Sequence, residues 1–297
     1  MSDTIAGLRR KLGSAGELRS VVRTMKAVAA SSIAQYERSV AALADYYRTV
    51  ELGLSVCFRE VESVSLPGDA RAPAAGGATA ATGAIVFGSD QGLVGQFNDA
   101  IADHAVATLA ALGGQVRIWA VGERVQARLA EAGLATTGVF AVPASVSAIT
   151  ALVAQILLEA DALDTQGRSA ELYLFYNSPA TRAIYTPVGE RLLPLDAAWR
   201  RKLMQRHWPT HNLPEVLGAG TATLQALIGE YLFVSLFRAC AESLASENAS
   251  RLAAMQRAEK NIDELLESMN AAFYRLRQSS IDEELFDVVS GFEALSQ

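Results

Sequence analysis

The chain has 297 residues, is 51% hydrophobic but only 7% aromatic, and carries a formal net charge of −6. That charge argues against a protein whose main task is holding nucleic acid, and the abundant Ala suits helices packed closely side by side. No unbroken run of about 18 apolar residues is available for a bilayer span, and the start MSDTIAGLRRKLGSAGELRS has no apolar signal core, so secretion is not expected.

Residues 5–61 read as one very long helix, with apolar residues repeating every three and four positions. The repeat runs Ile33, Tyr36, Val40, Leu43, Tyr47, Val50, Leu54, Cys57, Val61. Its spacing is that of a coiled-coil seam. Residues 1–40 hold seven basic residues (Arg9, Arg10, Lys11, Arg19, Arg23, Lys26, Arg38) against three acidic ones (Asp3, Glu17, Glu37), a balance of +4 on a negative chain. A solvated helix face explains this, and so does a basic collar that meets acidic loops of a partner. The next segment, SLPGDARAPAAGGATAATG, is too poor in large apolar residues to order itself, and a flexible linker is expected over 65–83.

From 84 to 210 the pattern changes to an α/β domain. AIVFG at 84–88, VRIWAVG at 116–122 and ELYLFYN at 171–177 are short β-rich runs. Helical stretches separate them at 96–112, 123–133 and 145–163. Alternating strands and helices predict βαβ units and a small, largely parallel, Rossmann-like sheet. AIYTPVGERLLPL at 183–195 predicts an edge strand, where Pro187 is tolerated. Helix returns near Pro214 and continues to the end, giving 211–297 as the closing segment after 1–64, 65–83 and 84–210. Its apolar repeat is Leu224, Leu227, Tyr231, Val234, then Leu252, Met255, Ile262, Leu266, Met269, Phe273, Leu276. Arg238, Ala241, Ala245, Asn248 and Glu259 interrupt it. They are expected to turn outward as a straight helix drifts from a strict heptad, or else to make a weakly committed surface.

About 79 helical residues would span roughly 115 Å. That exceeds any domain this chain could build, so part of the closing helix is expected to meet other proteins.

Chemistry is sparse. GSDQGLVGQFN at 88–98 follows a strand and opens a helix, where backbone N–H groups can cradle phosphate. Its Gly88, Gly92, Gly95 spacing matches neither GxGxxG nor GxxxxGK[ST], and a tight turn or docking loop suits it better. His207 and His211 flank Trp208 and Pro209, which spoils a helical zinc pair. Cys57 and Cys240 read as two small buried thiols. No GxSxG elbow is present, and no cofactor or metal is expected.

Three stretches resemble the gamma subunit of F-type ATP synthases, in that family's order. LRRKLGSAGELRSVVRTMKAVAASSI at 8–33 is similar to its basic N-terminal helix, with Arg23, Met25, Val28, Ala29 and Ala30 in the core pattern. SDQGLVGQFN at 89–98 looks like its Ser-Asp-Arg-Gly-Leu-x-Gly-x-x-Asn loop. ESLASENASRLAAMQRAEKN at 242–261 and FYRLRQSSIDEELFDVVSG at 273–291 resemble its C-terminal motifs. The resemblance implies a long antiparallel coiled coil of the two terminal helices, standing inside a ring of alternating alpha and beta subunits. It places the α/β domain at the foot, beside the epsilon subunit and the c-subunit ring. The implied role is a non-catalytic rotor shaft, peripheral at the cytoplasmic face of a bacterial cell membrane and touching the membrane only through partners.

By the same resemblance, Arg251 and Gln278 match residues that contact a beta-subunit loop, and Arg23, Met25 and Lys26 lie in the N-terminal contact zone. Asp282 stands where the family usually has Thr, Gln91 replaces the loop Arg, and Val94 replaces Cys or Ala. The chloroplast form's regulatory thiol pair has no counterpart here, so thiol gating is not expected. These departures imply a divergent member, of the kind an alternative bacterial ATPase complex would carry, coupled to H⁺ or Na⁺. Two rivals come from other classes: a static coiled-coil tether with an α/β head, and a nucleotide-binding enzyme using the 88–98 loop.

Overall fold

The computed structural model describes residues 4–60, 82–112, 116–161, 171–195, 197–212, 214–216 and 220–295. Positions 65–81 of the expected linker, and the seam residue Val61, lie outside them. The chain falls into two compact units, one of 1–30 with 251–297 and one of 31–250.

Two helices contribute to both units: α1 (Ile5–Glu60) and α6 (Gly220–Leu295). Thr4 caps α1, its Oγ1 accepting from the Gly7 backbone N–H at 3.2 Å, so one orphan donor of the first turn is satisfied. No Pro interrupts either helix. α6 is described from Gly220, and the non-helical 214–216 put its start later than the expected return of helix near Pro214. It also holds a stretch whose mean hydropathy, 1.3, would suit a membrane, although polar residues break it up; 44% of that stretch is buried in the protein.

In the 31–250 unit, five strands form one sheet: β1 (Thr82–Phe87), β2 (Val116–Val121), β3 (Gly138–Phe140), β4 (Glu171–Pro179) and β5 (Tyr185–Leu193). Their order is β3-β2-β1-β4-β5. The first four run parallel, and β5 pairs antiparallel with β4 at the edge. Pro187 sits in that edge strand, opposite Asn177. Three helices cross between strands: α2 (Phe97–Leu112), α3 (Glu123–Glu131) and α4 (Val146–Asp161). A short α5 (Ala197–Met204) follows the sheet.

The strands are apolar on both faces, which a helix-covered parallel sheet requires. Ala84 and Val86 face α2 and α3, meeting Ile101, Ala105, Val125 and Leu129. Their neighbours Ile85 and Phe87 face the opposite way, onto Ile149, Val153 and Ile156 of α4 and onto α6. A side chain of this size is worth about 1.5–3 kcal/mol when fully buried, so the two layers hold the sheet from both sides. Farther along, Val50, Leu54 and Phe58 of α1 close on Leu203, Leu224 and Trp199. Contacts between α1 and α6 here run in opposite order along the two helices: Tyr46 donates to Glu230, while Gly53 lies against Leu227.

The interruptions in the α6 repeat do not turn outward as expected. Ala241 and Ala245 are buried in the sheet-facing core, and Asn248 is buried with its amide donating to the Leu244 carbonyl. Small side chains let the helix approach closely, and the Asn amide finds a partner on its own helix. Cys57 and Cys240 are both buried, as their seam spacing implies.

Candidate functional site

The 1–30 with 251–297 unit contains the residues singled out for partner contact. Its apolar centre is Val22, Met255 and Ile262, with Met25, Ala254, Ala258 and Leu266 packed around them. Met25 is thus half sunk into the seam. On the flank, one carboxylate gathers two cations. Arg23 Nε donates to Glu259 Oε1 at 2.7 Å, and Lys26 Nζ donates to Glu259 Oε2. One turn further along α6, Arg19 and Asp263 form an ion pair at 2.7 Å. The Lys26 and Arg23 hydrogen bonds hold the Glu259 carboxyl down to about 2, well below the usual carboxylate range. Arg23 stays exposed despite its bonds.

Arg251 is half-buried on α6, whereas Gln278 and Asp282 are exposed. The three do not converge into one cluster with Arg23 and Lys26; they are strung along more than seven turns of helix, by the 3.6-residue turn. Past Phe273 the helix loses its cover. Every described side chain from 281 to 292 is exposed, including Ile281, Leu285, Phe286, Val288 and Phe292, the last three at 70–74%. These apolar side chains form an uncovered row among Asp282, Glu283, Glu284 and Asp287, the kind of surface at which proteins associate.

The 88–98 loop, in the other unit, is a tight, self-satisfied turn. The Ser89 N–H donates to Asn98 Oδ1, and the Asn98 amide donates back to Ser89 Oγ. Asp90 receives the Glu123 N–H on one oxygen and the Val142 N–H on the other, tying the turn to α3 and to the end of β3. Gly88 is required by close approach: a Cβ there would lie 2.3 Å from Val125 Cβ. The N–H groups of Ser89 and Glu123 are bonded within the protein. This is the tight-turn reading of the loop. Leu93, at φ 63° and exposed, projects from it. Among the described residues, no group of three or more His, Cys, Asp or Glu is placed to hold a metal ion.

Reading the sequence missed the counter-ions. Glu259 was visible only as a polar break in the α6 repeat, and Asp263 not at all. The available signal was two acidic residues spaced four apart on one helix, facing basic residues spaced four apart on the other.

A family model described as ATP synthase matches residues 4–295. The ATP synthase gamma chain of Salinibacter ruber is 29% identical over 308 residues, with 98% of this chain and 97% of that relative covered. The gamma chain of Sorangium cellulosum is 26% identical, with 99% of each covered. Among solved structures, the rotor of the Euglena gracilis mitochondrial ATP synthase aligns at TM-score 0.60 and 17% identity, covering 93% of this chain and 98% of that one. The central stalk and c-ring structure of the Tetrahymena thermophila mitochondrial enzyme aligns at TM-score 0.52 and 20% identity, over 80% of this chain and 99% of that one. The fold is that of these stalk chains, and with the match running essentially end to end the chain belongs to the ATP synthase family, among its gamma chains.

Proposed function

We propose that the chain is the central rotor shaft of an F-type ATP synthase, coupling ion flow through a membrane sector to ATP synthesis or hydrolysis on alpha and beta subunits. End-to-end similarity to gamma chains supports this role. In this reading α1 and α6 pair as an antiparallel coiled coil, and the segments 1–64 and 211–297 are its two strands. The α/β domain of 84–210 lies at the foot, against an epsilon subunit and the c ring. Association with the membrane runs through the complex, at the cytoplasmic face of a bacterial cell. The shaft does no bond chemistry; it passes torque.

The observation that carries the proposal is the bare apolar end of α6. A helix that leaves Leu285, Phe286, Val288 and Phe292 in water is unfinished by itself. A ring of other subunits finishes it. Along the same helix pair, Arg251, Gln278 and Asp282 meet a beta-subunit loop, and Arg23, Met25 and Lys26 lie in the N-terminal subunit-contact zone. Arg23 and Lys26 are held by Glu259 before assembly, so a partner carboxylate must share or displace an existing bond. A partly exposed pair of this kind is weak in water, and exchange of partners during rotation costs little. A shaft needs this: many small contacts and no deep minimum at one angle.

Reconstitution tests the reading. Mixing the chain with alpha and beta subunits should give a stable complex that hydrolyses ATP. Failure to form one would refute the rotor role.

A further inference from the structure

Where α6 crosses the sheet, one cation touches four elements. Arg238 of α6 places its guanidinium 5.2 Å from the ring centroid of Tyr47 on α1. Its Nη2 lies 3.6 Å from Glu190 Oε1 on β5, and its Nε lies 3.8 Å from Glu242 Oε1, one turn along α6. Both are ion-pair distances, longer than hydrogen bonds. Glu242 in turn accepts a 2.7 Å hydrogen bond from Ser178 on β4 through its other oxygen. Burial raises the pKa of Glu190 and that of Tyr176, and Arg238 opposes both shifts, so the cation answers for the polar groups gathered around it.

On the far side of Arg238 the contact is made of small side chains. Between 239 and 246, Leu244 is the single large apolar side chain that α6 buries, among Ala239, Ala241 and Ala245, while Leu236 and Phe237 are buried just before Arg238. Apolar contact is non-directional, so it holds α6 against the sheet without by itself fixing the helix's angle on β4 and β5. A planar guanidinium fixed over a ring and between two carboxylates is directional.

We infer that Arg238 is a positioning residue that locks α6 and α1 to the β4–β5 edge of the sheet, so that torque on the helices reaches the α/β domain without slip. This rests on the rotor reading for its consequence, and on the cluster's geometry for the lock itself.

The test compares wild type, Arg238→Lys, and the triple variant Arg238→Met, Glu190→Gln, Glu242→Gln. The triple variant removes the lock without stranding a buried charge. Each full chain is assembled with alpha and beta subunits and the membrane sector in vesicles. ATP hydrolysis by the triple variant should stay within about twofold of wild type while ions pumped per ATP fall by about threefold or more. Arg238→Lys, which keeps the charge but loses the planar fork, should fall between. Unchanged ions per ATP in the triple variant would overturn the proposal. The lock is read separately by amide exchange on the unassembled full chain. Exchange over 185–193 should speed by about tenfold in the triple variant, with 116–121 unchanged. Unaltered exchange over 185–193 would overturn the lock even if no variant assembles. A wild-type chain that supports no pumping would instead sink the rotor reading and leave the exchange result to judge Arg238.

Discussion

Glu259 holds two cations at once, and its ionisation is tied to the fold. Its pKa is about 2 in the folded chain, lowered by Lys26 and Arg23 from the ordinary 4.5. A depressed carboxyl contributes stability that is complete above its unfolded pKa and is lost as pH falls through the folded value. The thermal midpoint should therefore decline between about pH 4.5 and pH 2 with a component that Glu259→Gln removes. At neutral pH the substitution should move the midpoint by no more than about 2 °C, because its two cations reach solvent and the pairing is screened by salt. Scanning calorimetry of both chains across that pH range checks it, and identical slopes would refute it. Gly88 is a sterner position. An added methyl meets Val125 at 2.3 and 2.5 Å and Asn98 Oδ1 at 2.7 Å. Gly88→Ala should cost about 1–3 kcal/mol or more, read by urea unfolding. The sequence displays Gly88 as part of a motif, but not the reason for it, because Val125 lies 37 residues away. Glu259 was hidden for the same reason: its partners are 233 and 236 residues distant in the chain.

Elements with long periodic patterns were legible from the sequence, and short ones were not. α1 is helical over Ile5–Glu60, within its expected 5–61, and β1, β2, β4 and β5 overlap their apolar runs. β3 has only three residues, too few to show alternation, and exists because Trp119, Ala120 and Val121 offer a free parallel edge. α5 reads AAWRRKLM, with no repeat long enough to detect; its burial against Phe58 and Tyr231 makes it an element. The α6 repeat misled at Ala241 and Ala245 because heptad logic asks what faces another helix, whereas this stretch also faces a sheet. Ala241 is fully buried on that face. Ala241→Leu should destabilise the chain by about 1–3 kcal/mol through overpacking, seen as a lower denaturant midpoint with an unchanged slope. A neutral result would mean the α6–sheet contact is looser than its burial indicates.

At the scale of the whole molecule, burial and charge are both unevenly spread. The first 40 residues balance at +4 while the chain totals −6, so the remainder stands at −10. The 281–292 end of α6 adds acidic residues to uncovered apolar ones, Phe286 and Phe292 at 70% and 74% exposure. Two outcomes should follow from replacing both with Ser. The isolated chain should keep its stability within about 0.5 kcal/mol, because neither side chain is covered by its own fold. It should also self-associate less at high concentration, because exposed apolar rows drive non-specific contact. Assembly should respond oppositely: the complex with alpha and beta subunits should dissociate at a lower temperature, since two large apolar contacts with the ring are lost. Calorimetry on the free chain, sedimentation, and thermal dissociation of the complex measure the three effects. The decisive comparison is between the free and assembled chains. A substitution that destabilised both equally would mean the end of α6 is covered by its own fold, and the requirement for an enclosing ring of partners would disappear with that cover.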